Sequence, residues 1–155
     1  MPFTLETTTF PHLDETCIHF IQVNSRNAAL ESIILSEKNP SFDAIAKPFL
    51  QAILAREELV STGIGLGCAI PHAKLPEIED FFLNIGIIQG PGVDWKSIDH
   101  IPVKLIFMIG GPANEPNRYL KILSSLTEAI RSEEFRREIL TCQNAKDVLK
   151  LFERI

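Results

Sequence analysis

The sequence has little cysteine: Cys17, Cys68 and Cys142 are its only three in 155 residues. Their odd number and wide spacing fit neither a disulfide framework nor a zinc motif. No apolar run approaches the roughly 20 residues that a membrane-spanning helix needs. The N-terminus also lacks the basic and then apolar pattern of a signal peptide. We therefore expect a soluble, cytoplasmic protein that does not insert into a membrane.

Positive charge is also in short supply. Fifteen lysines and arginines stand against twenty acidic residues, which gives a net charge of -5. This balance disfavours nucleic acid as the main partner and favours a basic protein. Hydrophobic residues make up 45% of the chain and charged residues 23%. These values and the length are typical of one globular domain with a substantial core.

The chain has no repeats, low-complexity tracts or linkers. Residues 1–16 are rich in threonine and without a clear period, so we expect an N-terminal arm followed by one domain over residues 17–155. Apolar stretches predict four strands, over Cys17–Val23, Gly67–Leu75, Phe81–Gln89 and Pro102–Ile109. The last of these strands is expected to end before Gly110, Gly111 and Pro112.

Helical periodicity accounts for most of the remaining residues. Ser25 is a plausible N-cap for a helix that ends at Leu35, and residues 37–40 predict a turn. A second helical stripe from Phe42 to Arg56 contains Pro48, which predicts a kink or two abutting helices. Three more helices are predicted, around Tyr119–Ile130, from Ser132 and from Asn144. This order of elements predicts an α/β domain, a mixed sheet with helices on both faces.

One stretch concentrates glycine, and it reads R-E-E-L-V-S-T-G-I-G-L-G-C-A-I-P-H from Arg56 to His72. Glycine at every second position, Gly63, Gly65 and Gly67, lets the backbone turn sharply and approach a ligand. Pro71 fixes its own φ and favours extended geometry in the residue before it. His72 is therefore expected on a stiff backbone beside open amide groups. This combination suits an anion that is handled by an imidazole.

Other chemistries fit this stretch poorly. A Walker loop needs G-K-[ST], which is absent, and the glycine spacing departs from the G-x-G-x-x-G dinucleotide fingerprint. The four histidines and three cysteines do not stand in metal-binding pairs. Cys68 and His72 would lie about 13 Å apart along one strand, which weakens a Cys–His nucleophile pair. We expect no metal and no cofactor.

A neutral imidazole at His72 is an available nucleophile at cytoplasmic pH. Phosphoryl transfer to it would require hydrogen-bond donors and positive charge near the three equatorial oxygens. Arg56 lies on the apolar stripe of its helix, where it either caps carbonyls at the helix end or points toward the glycines. The candidate phosphoryl-binding groups are the following hydroxyls and backbone amides: Ser61, Thr62, Gly63, Gly65 and Gly67.

The motif resembles the active-site signature of IIA proteins of the bacterial phosphoenolpyruvate-dependent phosphotransferase system (PTS), in the fructose/mannitol class and its nitrogen-regulatory branch. The resemblance implies a three-layer α/β/α sandwich in which His72 accepts a phosphoryl group on Nε2 from an HPr-like phosphocarrier. Arg56 would stabilise its charge. The group would pass to a IIB domain, or phosphorylation would regulate target proteins. A chain without attached IIB or IIC sequence favours the nitrogen-regulatory branch.

One position departs from the pattern. Members of this family often carry a second histidine near the active one, and the sequence register puts Tyr119 there. Its hydroxyl could bind phosphate or the ring of His72, or Tyr119 could be a core aromatic. Two other functional classes remain open: a non-catalytic interaction module with the same fold, and a hydrolase that uses Cys68 or His72.

Overall fold

Six strands form one mixed sheet in the structure, a computed structural model that describes residues 13–36 and 40–154. The strands are β1 (Ile18–Ile21), β2 (Gly63–Gly65), β3 (Cys68–Ala69), β4 (His72–Lys74), β5 (Phe82–Ile88) and β6 (Leu105–Gly111). Their order is β1-β5-β6-β3-β2, and β4 also pairs with β6. β6 is antiparallel to β5 and parallel to β3 and β4. β6 is therefore the strand that pairs with the largest number of others, namely β3, β4 and β5.

Helices cover both faces of the sheet. They are α1 (Arg26–Leu35), α2 (Pro40–Leu59), α3 (Pro116–Arg131), α4 (Glu133–Thr141) and α5 (Ala145–Arg154), with a 3₁₀ helix over Glu15–Cys17. Alternate residues of β6 face opposite layers: Ile106 packs with the core of α1 and α2, whereas Phe107 packs with the core of α3, α4 and α5. The predicted three-layer α/β/α fold with a mixed sheet is confirmed.

Side-chain caps begin three helices where the sequence predicted helix starts. Ser25 accepts a hydrogen bond from the amide of Ala28 at 3.1 Å, and Ser132 accepts one from Phe135 at 3.2 Å. Asn144 does the same for Asp147 at 2.9 Å. Each cap satisfies one of the orphan N–H groups of its helix.

Some predictions fall on residues outside the described ranges. These are most of the N-terminal arm (1–12), three residues of the predicted turn (37–39) and Ile155. The division into an arm over 1–16 and a domain over 17–155 stays a prediction.

Two sequence predictions about proline need correction. At Pro48 the sequence predicted a kink or two abutting helices; α2 runs through it as one helix of 20 residues, so the second of these alternatives is wrong. Phe42 lies before Pro48 and Phe49 and Ile53 after it, and all three are buried in one core. Burial of this continuous stripe outweighs the loss of one backbone hydrogen bond. Conversely, the strand predicted over 67–75 is split into β3 and β4, because Pro71 has no N–H to donate.

The glycines belong to strands as well as to a turn. Gly63–Gly65 forms β2, which pairs antiparallel with β3, and the predicted sharp turn lies at Leu66 and Gly67 between the two strands. β6 continues through Gly110 and Gly111 instead of ending at Ile109. A Cβ at Gly111 would lie 2.2 Å from the ring of Phe81. Here glycine serves close packing within a strand.

A buried carboxylate fastens the end of α2 to the segment before His72. Glu57 is 2% exposed. Its Oε1 accepts hydrogen bonds from the Thr62 amide and from Trp95 Nε1, both at 2.7 Å. Its Oε2 accepts one from the Thr62 hydroxyl at 2.6 Å. Three elements of the fold therefore meet at one side chain.

We predict that Glu57→Ala lowers the free energy of unfolding by about 3 kcal/mol, because it leaves buried N–H donors without an acceptor. Urea denaturation measures the change. The matched control is Glu58→Ala, at the exposed neighbouring position, with an expected change below about 0.5 kcal/mol. Equal losses for the two variants would contradict a special role for the buried carboxylate.

Candidate functional site

His72 is the first residue of β4, and its ring is oriented by the backbone. It pairs in parallel register with Ile109 of β6 and is partly buried. Its Nδ1 lies 2.9 Å from the carbonyl oxygen of Ile70. A ring nitrogen facing a carbonyl carries the proton, so Nδ1–H donates and Nε2 keeps the lone pair. The imidazole is thus held with Nε2 as its nucleophilic atom.

The surroundings of His72 favour the neutral ring. Burial lowers its pKa below the usual 6.5, the hydrogen bond to Ile70 opposes this shift, and the positive charge of Arg56 lowers the pKa further. Smaller effects come from Glu57, which raises it, and Lys74, which lowers it. At neutral pH the ring is therefore an uncharged nucleophile.

Arg56 lies in the last turn of α2. Its Nη1 donates to the carbonyl of Val60 at 3.0 Å, which caps the helix end. Its charge also acts on both His72 and Tyr119, lowering the pKa of each. The structure shows the first of the two sequence interpretations, in which Arg56 caps carbonyls at the helix end. That the side chain also points toward the glycines stays a prediction.

Tyr119, from α3, lies against His72 with the ring centroids 5.5 Å apart. The residue is only 7% exposed, and burial raises the pKa of its hydroxyl to about 12. Within the described part of the chain, this buried hydroxyl has no hydrogen-bond partner. The Nζ of Lys74 lies 4.4 Å from the centroid of the same ring. An imidazole, a phenol and two cations therefore converge.

Sequence reasoning missed Lys74 and Glu57. Lys74 stands two residues after His72 in the same strand, and strand alternation puts positions 72 and 74 on one face. Glu57 stands four residues after the buried Ile53, on the apolar stripe of α2. In both cases the spacing of the residue in its strand or helix indicated the face on which it lies.

The predicted phosphoryl-binding segment is used mostly for internal contacts. The Thr62 amide and hydroxyl bind Glu57, while the Gly63 amide donates to Ser61 Oγ at 3.1 Å. The Ser61 hydroxyl in turn donates to the carbonyl of Trp95 at 2.6 Å. The Thr62 carbonyl accepts the amide of Ile70 at 3.0 Å. The segment thus supports the residue that orients His72.

Gly65 and Gly67 have positive φ values of 90° and 76°, which glycine adopts without strain. A Cβ at Gly65 would lie 2.9 Å from an Asp99 oxygen, and Asp99 accepts the Leu66 amide at 2.8 Å. These glycines therefore allow the hairpin to pack against the Asp99 loop. Direct phosphoryl binding by the segment stays a prediction.

Cys68 is fully buried, and burial raises its pKa to about 12. A thiol in this environment is not the exposed thiolate that nucleophilic catalysis requires. Among residues 13–36 and 40–154, histidine, cysteine and carboxylate side chains form no group of three or more suited to a metal ion. Over the same residues, no helix combines the length and apolarity needed to cross a bilayer.

Comparison with known proteins identifies relatives over nearly the whole chain. A fructose-specific EIIABC component of the phosphotransferase system from Bacillus subtilis is 32% identical over 141 residues, which cover 88% of this chain and 22% of that protein. The chain therefore spans about a fifth of that relative's length. A nitrogen regulatory protein from Bradyrhizobium diazoefficiens is 28% identical over 134 residues, 86% of each chain.

Comparison with solved structures points to the same kind of protein as the sequence comparison. The crystal structure of nitrogen regulatory protein IIA-Ntr from Neisseria meningitidis matches with a TM-score of 0.78 and 26% identity, covering 90% of this chain and 94% of the other. The family model described as "Phosphoenolpyruvate-dependent sugar phosphotransferase system, EIIA 2" matches residues 11–155. The fold, the motif from Arg56 to His72 and these relatives agree, and the chain belongs to the EIIA 2 family of the phosphotransferase system.

Proposed function

We propose that this chain is a phosphocarrier in which Nε2 of His72 accepts a phosphoryl group from the phosphohistidine of an HPr-like protein. The P–N bond of the donor breaks, a P–N bond to Nε2 forms, and the donor imidazole keeps the electron pair. The observation that carries the proposal is the hydrogen bond from His72 Nδ1 to the Ile70 carbonyl. It leaves Nε2 of the partly exposed His72 as the attacking atom.

Positive charge near His72 suits the transferred group. Arg56 and Lys74 both act electrostatically on the imidazole, and a phosphoryl group brings negative oxygens to that ring. In this proposal Ser61, Thr62 and the three glycines hold the backbone that orients Ile70 and His72. Neither a metal nor a cofactor is part of the mechanism, because the donor is a phosphohistidine and the acceptor a histidine, so that the P–N bond broken and the P–N bond formed are chemically alike.

We further propose that the chain acts in the nitrogen-regulatory branch, where the phosphorylation state of His72 would control target proteins. The Bradyrhizobium relative matches over 86% of both chains and is named a nitrogen regulatory protein. The fructose-specific Bacillus relative supports the other outcome, transfer of the group to a IIB domain. Both outcomes begin with the same phosphorylated histidine.

Replacing the acceptor tests the mechanism. We expect His72→Ala to abolish phosphate uptake during incubation with phosphoenolpyruvate, enzyme I and a carrier, because the variant lacks the nitrogen that the proposal makes the acceptor. Intact-mass analysis reports the uptake, and the added phosphate should be acid-labile. His100→Asn is the control: His100 is exposed and has φ 60°, which Asn tolerates.

Phosphate uptake by His72→Ala at the level of the wild-type protein would contradict the proposed mechanism. A wild-type chain that takes up no phosphate would instead favour the non-catalytic interaction module.

The charge beside the acceptor gives a second test. We predict that Arg56→Lys slows phosphoryl uptake about tenfold, because a point charge does not reproduce the planar fork of a guanidinium. Stopped reactions analysed by mass give the rate constant. Arg137→Lys, at an exposed position on α4, should retain the wild-type rate. An unchanged rate for Arg56→Lys would exclude that side chain from the transfer.

The protonation of His72 gives a third test. Burial lowers the pKa of this ring below 6.5, so the neutral, nucleophilic form should dominate at pH 7 and disappear only as the pH falls below 6.5. An NMR titration of the ring carbon-bound protons, assigned by their loss in His72→Ala, measures the midpoint. A midpoint at or above 6.5 would contradict the lowering of the His72 pKa by burial.

A further inference from the structure

The hydroxyl of Tyr119 is a buried polar group that bonds to none of residues 13–36 and 40–154. The residue is 7% exposed, and within the described ranges its oxygen has no hydrogen-bond partner. Native proteins rarely leave such a group unpaired, because burial without a partner destabilises the fold. A buried hydroxyl without a partner among the described residues therefore points to an acceptor that a ligand would supply.

The surroundings of Tyr119 identify the kind of partner. His72 lies 5.5 Å away between ring centroids, and the charge of Arg56 acts on both the imidazole and the phenol. Lys74 Nζ lies 4.4 Å from the centre of the phenol ring. Two cations that act on this pair of rings and a donor without a partner among the described residues suit an anion with several oxygens.

The phenol ring is held in a fixed position. Phe81 stacks on it with an interplanar angle of 18° and 6.4 Å between centroids. Tyr119 also belongs to the first part of α3, where its amide bonds to the carbonyl of Glu115 at 3.1 Å. A donor on such a ring is pre-organised, so little conformational freedom is lost when it binds.

We propose that the Tyr119 hydroxyl donates a hydrogen bond to a phosphoryl oxygen on phosphorylated His72, while the Tyr119 ring holds the Lys74 ammonium beside that group. This inference rests on the proposed phosphocarrier function. Tyr119, Lys74 and Arg56 then provide donors for the three phosphoryl oxygens. The hydroxyl keeps its proton throughout, and the only bonds that change are the P–N bonds of the donor and of His72.

Tyr119→Phe separates the hydroxyl from the ring. Phenylalanine retains the stacking on Phe81 and the surface over which Lys74 lies, but it cannot donate. We expect the equilibrium constant for phosphoryl exchange with the carrier to shift about tenfold toward the carrier, the effect of losing one hydrogen bond to a charged group. ³¹P NMR of the mixture at equilibrium measures both phosphoforms.

A purely structural role makes the opposite prediction for stability. If the hydroxyl serves the phosphoryl group, the unphosphorylated Tyr119→Phe protein should be at least as stable as wild type in urea, because only an unpaired polar atom is lost. Stability clearly below wild type, or an exchange constant within twofold of wild type, would overturn the proposal.

Lys74→Gln provides the second arm. We expect it to shift the exchange constant toward the carrier several-fold, whereas Lys121→Gln, at an exposed position of α3, should leave the constant unchanged. Equal shifts for the two lysines would attribute the effect to net charge and overturn the role of Lys74. The wild-type chain distinguishes the two proposals. If it takes up no phosphate, the proposed phosphocarrier function is wrong. If it takes up phosphate and Tyr119→Phe has the wild-type exchange constant, only the proposed role of the Tyr119 hydroxyl is wrong.

Discussion

The hydrogen bond between His72 Nδ1 and the Ile70 carbonyl is the interaction on which the site depends. It joins two residues that lie two positions apart on either side of Pro71. Without it the ring could rotate, and either nitrogen could carry the proton. With it, one tautomer and one orientation are selected before a ligand arrives. The orientation of the His72 ring is therefore set by a local contact with the backbone two residues earlier.

The hydrogen bond between His72 and Ile70 is itself supported by contacts between residues farther apart in the sequence. Glu57 binds Thr62 and Trp95, and the Thr62 carbonyl binds the Ile70 amide, whose own carbonyl meets the histidine. A buried carboxylate on α2 is thus linked to the imidazole through the backbone of the hairpin. Because the carboxylate accepts three hydrogen bonds, its burial is compensated. Arg56, the preceding residue, bonds to the Val60 carbonyl and acts electrostatically on the same imidazole.

The sequence was a good guide wherever a local pattern determines structure. Alternating apolar residues and capping side chains predicted the layers, the main strands and the helix starts, and the motif from Arg56 to His72 identified the family. Prediction failed where the structure is determined by packing between residues that lie far apart in the sequence. Pro48 stays helical because the residues on both sides are buried, and Gly110 and Gly111 stay extended because aromatic rings fill the space of a side chain. The contact of Lys74 with the Tyr119 ring, and the lack of a partner for the Tyr119 hydroxyl among the described residues, became visible only when α3 and β4 were placed together.

The central position of β6 has a consequence for how the chain acquires its fold. β6 is the last strand in the chain, yet β3, β4 and β5 all pair with it. During synthesis these three strands leave the ribosome before the strand that joins them exists. Much of the sheet therefore has to assemble at once, after residue 111 has emerged, and such non-local pairing is slow. Until then, apolar strand edges are open to other chains, which makes this interval the period of greatest risk of aggregation.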